Sequence, residues 1–197
     1  MSLAYRILWY ISWPFLSLVL PRRSYGRENI PEGPVLICAN HASKFDAFFI
    51  IYAAGPKHHI HFLTKEGVFR VPIVAAIMRG VGMIPVEQTG NATQAVKSAM
   101  RRLKEGRVVG IFPEGARIYR DEDSVAKTGA VRLAVRMGVP IVPVYIPRKK
   151  RYFRRNLVVI GKPYTIDMDK KTAKPEDYDR LTDELMETIR LLGAEKQ

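Results

Sequence analysis

Apolar residues fall in two patterns along the 197-residue chain: short unbroken runs, and longer stretches of helical period. VLICA (35–39), VVGIFP (108–113), PIVPVYI (140–146) and NLVVIGKPYTI (156–166) are the runs, rich in β-branched residues and bounded by Gly, Pro or polar clusters. Runs of this kind predict buried strands. HIHFLTK (59–65) alternates and predicts another strand, with a short one at Met83–Val86. Helical period predicts helices at Ser43–Ala54, stopped by Gly55-Pro56, at Ala92–Glu105, and at Ala126–Met137, ended by Gly138. Pro175 opens a last helix with Leu181, Leu185, Ile189 and Leu192 on one face. Residues 67–82 read as a helix broken at Pro72.

Strands and helices therefore alternate, which predicts a single α/β domain: a central mixed, largely parallel sheet flanked by helices. In such sheets, sites form where a strand ends and the next loop begins.

The N-terminus breaks this pattern. Ile7 to Leu20 is apolar over fourteen residues and contains Pro14, short of the ~20 a spanning helix needs. Trp9, Tyr10 and Trp13 suit a membrane interface, and Arg22 and Arg23 suit lipid headgroups. We read residues 1–24 as an amphipathic, membrane-associating helix that the chain's proline interrupts, and residues 25–197 as the folded domain. A core helix of that domain is the competing reading.

Composition adds one constraint. At 47% hydrophobic and 26% charged the chain is ordinary for a globular protein, but 32 Lys+Arg against 19 Asp+Glu leave a net charge of +13. Such a surface attracts polyanions: anionic lipid, nucleic acid or phosphorylated substrates. The lone cysteine, Cys38, sits inside an apolar run and reads as core rather than as a nucleophile. A reducing compartment is consistent with this count.

Two strand-end loops carry the candidate chemistry. In NHASKFD (40–46), His41 follows a strand and Asp46 opens the next helix. Five residues make about 1.4 helical turns, so the carboxylate can reach back to one imidazole nitrogen and leave the other free as a base. From the spacing alone, a helix-capping histidine with a solvated aspartate is the favoured alternative, and the second loop shifts the balance toward the base. In FPEGAR (112–117), Glu114, Gly115 and Arg117 follow an apolar strand directly. A glutamate beside a glycine and a planar guanidinium could bind a hydroxyl and a phosphate side by side.

Taken together and in order, NHASKFD, GVGMIPVEQ (80-region, ending at Gln88), FPEGAR and VPIVPVYI resemble the four sequence blocks of the 1-acylglycerol-3-phosphate (lysophosphatidic acid) acyltransferase family, the PlsC-like glycerolipid acyltransferases. AKTGAVRLA between the last two blocks is similar as well, and the likeness runs from about Pro31 to Pro163. The resemblance implies transfer of an acyl group from a thioester, on coenzyme A or acyl carrier protein, to the hydroxyl of a lysophospholipid, without a cofactor or metal. It places His41 as general base and Asp46 as its holder, with direct attack and no acyl-enzyme. It gives Glu114, Gly115 and Arg117 to the acceptor site, and matches Lys65 to a lysine common in the family. Two positions depart from the pattern. Gln88 stands where the second block usually has an arginine for the acceptor phosphate, and Ala116 where Thr is common. Arg79, Arg117, Lys127 or the basic loop could supply the missing charge.

Two further clusters stand outside these blocks. His58, His59 and His61 suggest a metal, but no second ligand group accompanies them, and a surface strand accounts for them. RKKRYFRRN (148–156) interleaves six cations with Tyr152 and Phe153. It fits a membrane-facing patch, a nucleic-acid site or a solvated hairpin loop; the apolar N-terminus favours the membrane.

The expectation is thus an O-acyltransferase at the cytoplasmic face of the cell membrane, peripheral or monotopic. Its partners would be an anionic phospholipid membrane, a lysophospholipid acceptor, and acyl-CoA or acyl carrier protein, with nucleic acid disfavoured. The same chemistry on another lysophospholipid, glycerol 3-phosphate or a lyso-glycolipid is the alternative. A non-catalytic basic module binding membranes or nucleic acid is the alternative of a different class.

Overall fold

The computed structural model describes residues 3–86, 92–169 and 172–196. Among them, seven strands form one sheet: β1 (Arg22–Tyr25), β2 (Val35–Ala39), β3 (Ile60–Lys65), β4 (Ile84–Val86), β5 (Val108–Ile111), β6 (Ile141–Tyr145) and β7 (Asn156–Ile160). Their spatial order is β1-β7-β6-β2-β5-β3-β4. Every pairing is parallel except β6 with β7. Five strands, β6 to β4, therefore point their carboxyl ends the same way.

The strand runs are apolar throughout because both faces are covered. Alternation along β2 sends Val35, Ile37 and Ala39 to one face and Leu36 and Cys38 to the other. The first face packs under α1 (Leu3–Val19) and α2 (Asp46–Ala54), through Tyr5, Leu20, Phe49 and Ile50. The second packs under α4 (Ala92–Lys104), α5 (Gly129–Met137) and α6 (Pro175–Ala194), through Leu103, Val131, Leu185 and Ile189. Each fully buried Leu, Ile or Phe contributes on the order of 1.5–3 kcal/mol. Cys38 lies on this second face, fully buried, and burial pushes its thiol well above its ordinary value. It belongs to the core.

Several expectations need correction. Helix α1 runs unbroken from Leu3 to Val19 with Pro14 inside it. Pro14 is exposed, and the carbonyl it frees belongs to Tyr10, which is exposed too, so no buried acceptor is orphaned. The expected boundary at residue 24 cuts through β1, which pairs with Arg22↔Asn156 to Tyr25↔Val159. The sequence RRSY is too short and polar to read as a strand, as suits a sheet edge. The histidines are not on a surface strand: β3 lies between β5 and β4, and His61 is buried. The His59 ring stacks between Tyr5 and His61 at centroid distances of 4.0 and 4.2 Å. Nε2 of His59 and Nδ1 of His61 donate to the Val81 and Gly82 carbonyls, both at 2.7 Å, clipping the turn between α3 (Pro72–Gly80) and β4. Helix α5 starts at Gly129 rather than Ala126, because the Lys127 N–H bonds the Pro113 carbonyl instead. Its end is as expected: Gly138, at φ 64°, takes the left-handed conformation that closes a helix.

Candidate active site

The carboxyl ends of β6, β2, β5 and β3 stand side by side, so the segments that leave them gather at one edge of the sheet. From β2 comes His41, from β5 Glu114 and Arg117, from β6 Arg148 and Lys150, and from β3 Lys65.

The His41 loop is fixed before its side chain acts. Asn40 is buried and exchanges two hydrogen bonds with the main chain of Ile146: its amide donates to the carbonyl at 2.7 Å, and its oxygen accepts from the N–H at 2.9 Å. The His41 main chain is held by the neighbouring loop. Its N–H donates to Glu114 Oε2 at 2.6 Å, and its carbonyl accepts from Ile118 N–H at 2.7 Å. Its ring stacks on Phe112 at 4.1 Å.

Within this frame His41 Nδ1 meets Asp46 Oδ2 at 2.9 Å. The same oxygen accepts the N–H groups of Ala42 and Ser43, both at 2.7 Å. Asp46 is fully buried. Those bonds to residues before it explain why α2 begins at Asp46 and not at Ser43. The other oxygen, Oδ1, lies 2.6 Å from Lys150 Nζ. Burial pushes the Asp46 carboxyl up, but His41, Lys150 and the Ser43 N–H outweigh it and hold the group below the usual carboxylate range. An ionised carboxylate only accepts, so Nδ1 carries a proton, and in the neutral imidazole the lone pair is then on Nε2. The His41 side chain is 21% exposed, enough for a ligand to reach it.

Glu114 is committed inward. It accepts from Ser124 Oγ and Arg148 Nη2, each at 2.6 Å, as well as from His41 N–H. It therefore positions His41 and has no free face for a substrate hydroxyl, which corrects the role read from the sequence. Arg148 continues the clasp, donating through Nε to Asp121 at 2.6 Å and through Nη1 to the Ile118 carbonyl at 2.8 Å. Gly115, at φ 65°, makes the turn that follows Glu114, and a Cβ there would sit 3.4 Å from Lys127 Cδ and Cε. Lys127 thus lies against Gly115. Arg117, Lys127 and Lys65 are exposed, as is Arg79. Gln88 lies outside the described residues.

The sequence reading missed Arg148 and Lys150. It placed them on a membrane-facing loop, yet their side chains are only 8% and 6% exposed. Lys149 and Arg151, between and after them, face outward. Burial pulls the Lys150 ammonium down, Asp46 raises it and Arg148 opposes; the balance lies below the ordinary lysine value. Among the described residues, no group of three or more His, Cys, Asp or Glu could hold a metal ion.

A buried carboxylate that orients an accessible histidine at the carboxyl edge of a parallel sheet suits a base acting on a bound hydroxyl or water. The acyltransferase family model matches residues 21–147, covering all of these loops up to the end of β6. The chain belongs to the acyltransferase family. Among acyltransferases, a 1-acyl-sn-glycerol-3-phosphate acyltransferase of Borreliella burgdorferi is 32% identical over 136 residues, 68% of this chain and 54% of the relative. One of Bacillus subtilis is 30% identical over 120 residues, 60% of this chain and 59% of the relative. The chain spans little more than half the length of these curated relatives. Its fold is similar to the crystal structure of the 1-acyl-sn-glycerophosphate (LPA) acyltransferase PlsC from Thermotoga maritima. The TM-score is 0.65 at 23% identity, over 96% of this chain and 78% of that one. Arg148 and Lys150 lie just beyond the stretch that the acyltransferase model matches.

Proposed function

We propose that this acyltransferase moves a fatty acyl group from an acyl thioester, on coenzyme A or acyl carrier protein, to the free hydroxyl of 1-acylglycerol 3-phosphate, giving phosphatidic acid. The observation that carries the reading is the His41–Asp46 pair, 2.9 Å apart with the carboxylate wholly buried. The relatives named above act on this acceptor and support the choice. In the proposed reaction His41 Nε2 takes the hydroxyl proton as the oxygen attacks the thioester carbonyl. Asp46 offsets the charge of the imidazolium. The tetrahedral adduct collapses, the C–S bond breaks, and the proton passes from His41 to the departing sulfur. Cys38 takes no part, since it is buried on the α4–α6 face. Arg117, Lys127 and Lys65 are exposed cations at this edge that would meet the acceptor phosphate. A non-catalytic binding module would have no use for a buried, hydrogen-bonded histidine–carboxylate pair.

Gln88 favours a second acceptor class, because a neutral residue stands where the family resemblance has an arginine. That class is a lysolipid without a free phosphate. The test is a panel of lysolipid acceptors with acyl-CoA and acyl-carrier-protein donors. Lysophosphatidic acid as the preferred acceptor upholds the first reading; preference for a neutral or larger headgroup replaces it with the second; no acyl transfer to any acceptor overturns both.

The lipid acceptor calls for a membrane surface, and α1 provides a face for one. Tyr5, Trp9, Leu16 and Leu20 turn toward the domain, while Leu3, Ile7, Ile11, Phe15 and Leu18 form an exposed stripe. Among the described residues no helix is long and apolar enough to cross a membrane. Phe153, held at φ 57° with its N–H on the Val19 carbonyl, sets an exposed aromatic beside the end of α1. We infer that α1 and the tip of this loop rest on the cytoplasmic membrane face, the aromatics in the interface and the outward cations on lipid phosphates.

A further inference from the structure

We propose that Lys150 is a positioning residue of the reacting pair, making it a His41–Asp46–Lys150 relay in which the lysine charge lowers the proton affinity of His41. This rests on the reading of His41 as the base. Lys150 is nearly sealed from solvent, packed toward the Phe49 ring at 5.9 Å, with Nζ 2.6 Å from Asp46 Oδ1. It cannot serve the acceptor phosphate from there. What it can do follows from the charges that face the pair. From α2 and its preceding loop come the Asp46 carboxylate and the Ala42 and Ser43 N–H groups. From the loop after β5 comes Glu114, neutralised by Arg148, which also takes Asp121. From the segment after β6 comes Lys150 itself, bonded also to the Pro147 carbonyl.

With Glu114 and Arg148 paired, the pair's charge balance is set by Asp46 and Lys150, which cancel. His41 therefore sits beside a neutral unit rather than a bare carboxylate. When it takes the acceptor's proton, the imidazolium faces a cation across the Asp46 carboxylate. The lysine thus opposes the imidazolium and favours return of the proton to the leaving sulfur. It also holds the carboxylate electrostatically from the side opposite His41: Lys150 forms an ion pair at Oδ1, while His41 and two main-chain N–H groups meet Oδ2. Arg148 and Lys150 both turn inward while Lys149 between them is exposed, so one short stretch secures both loops: Arg148 the Glu114 loop and Lys150 the His41 loop.

The test compares Lys150→Gln and Lys150→Met, which remove the charge with and without a donor, against Lys150→Arg, which keeps it. Two readouts are used: the pH profile of kcat/KM, and the titration of the His41 ring by NMR in the free protein. Both neutral variants should move the acidic limb and the ring titration upward, by roughly 1 pH unit. Lys150→Arg should leave both near their original positions. A role in packing alone would lower turnover in all three without moving either titration, and that result overturns the proposal. Either neutral variant, if folded, decides the matter. His41→Ala is assayed beside them: if it keeps turnover, the catalytic reading fails, while the ring titration still reports whether Lys150 controls the proton affinity of the pair.

Discussion

Residues 148–155 hold six cations in eight positions, and they divide into an inward pair and an outward four with opposite fates. Arg148 and Lys150 turn inward to buried carboxylates. Lys149, Arg151, Arg154 and Arg155 are exposed, with Tyr152 and Phe153 among them. The inward pair sits where desolvated carboxylates, Glu114 and Asp46, leave charge that must be balanced; the outward group has only solvent before it. Similar chemistry thus serves as architecture in the inward pair and as an open surface in the outward four. The dividing factor is what each side chain meets, not what it is.

The sharpest way to break this comparison is to delete one cation from each group. Arg148→Ala strips the partner from a fully buried Glu114, and removing one member of a buried pair costs about 3–5 kcal/mol. The urea midpoint should fall steeply, and activity with it, because Glu114 holds the His41 N–H. Arg151→Ala should stay within about 0.5 kcal/mol of the unaltered protein. Equal effects from the two would remove the distinction.

How far the sequence foretold this division depends on contrast between neighbouring positions. Strands β2, β5 and β6 are legible because both faces are buried and the apolar run has sharp borders. The His41–Asp46 pair is legible because a strand end and a helix start fix its geometry. Arg148 and Lys150 are illegible because the inward–outward alternation passes through a run of like charge, where no polarity change marks it. Strand β1 hides for a related reason: RRSY shows no apolar alternation, and its place at the sheet edge is set by pairing with β7. Glu114 stands in a loop that suggests ligand binding, and only the packing of His41, Ser124 and Arg148 around it shows that its capacity is used.

A middle-sized effect should appear in stability against pH. Burial pulls His59 down to about 4, with its bond to the Val81 carbonyl opposing, and His61 is lowered also. In the unfolded chain a histidine takes its proton near pH 6.5, so the unfolded state binds more protons between there and pH 4. The stability His59 contributes is full above pH 6.5 and is lost as pH falls toward 4. Urea midpoints measured across this window should decline, and His59→Gln should flatten the decline. Since His59 stacks on Tyr5, the fluorescence of Trp9, on the same helix, should change along with it if acid loosens α1.

The smallest effect belongs to the outward group. Changing Arg151, Arg154 and Arg155 to Gln should weaken binding to anionic vesicles, and the difference should shrink as salt rises. Ile11→Ser with Phe15→Ser should weaken binding at every salt concentration, since apolar insertion is not screened. Vesicle binding unaltered in both sets would remove the membrane role of this surface.

The central claim is that His41, oriented by Asp46, is the base for acyl transfer. Turnover of purified His41→Ala with acyl thioester and lysophosphatidic acid, with its fold checked by circular dichroism, tests that most directly. The account predicts a loss of about 10²–10⁴-fold in kcat. A folded His41→Ala protein that turns over at nearly the original rate would contradict it.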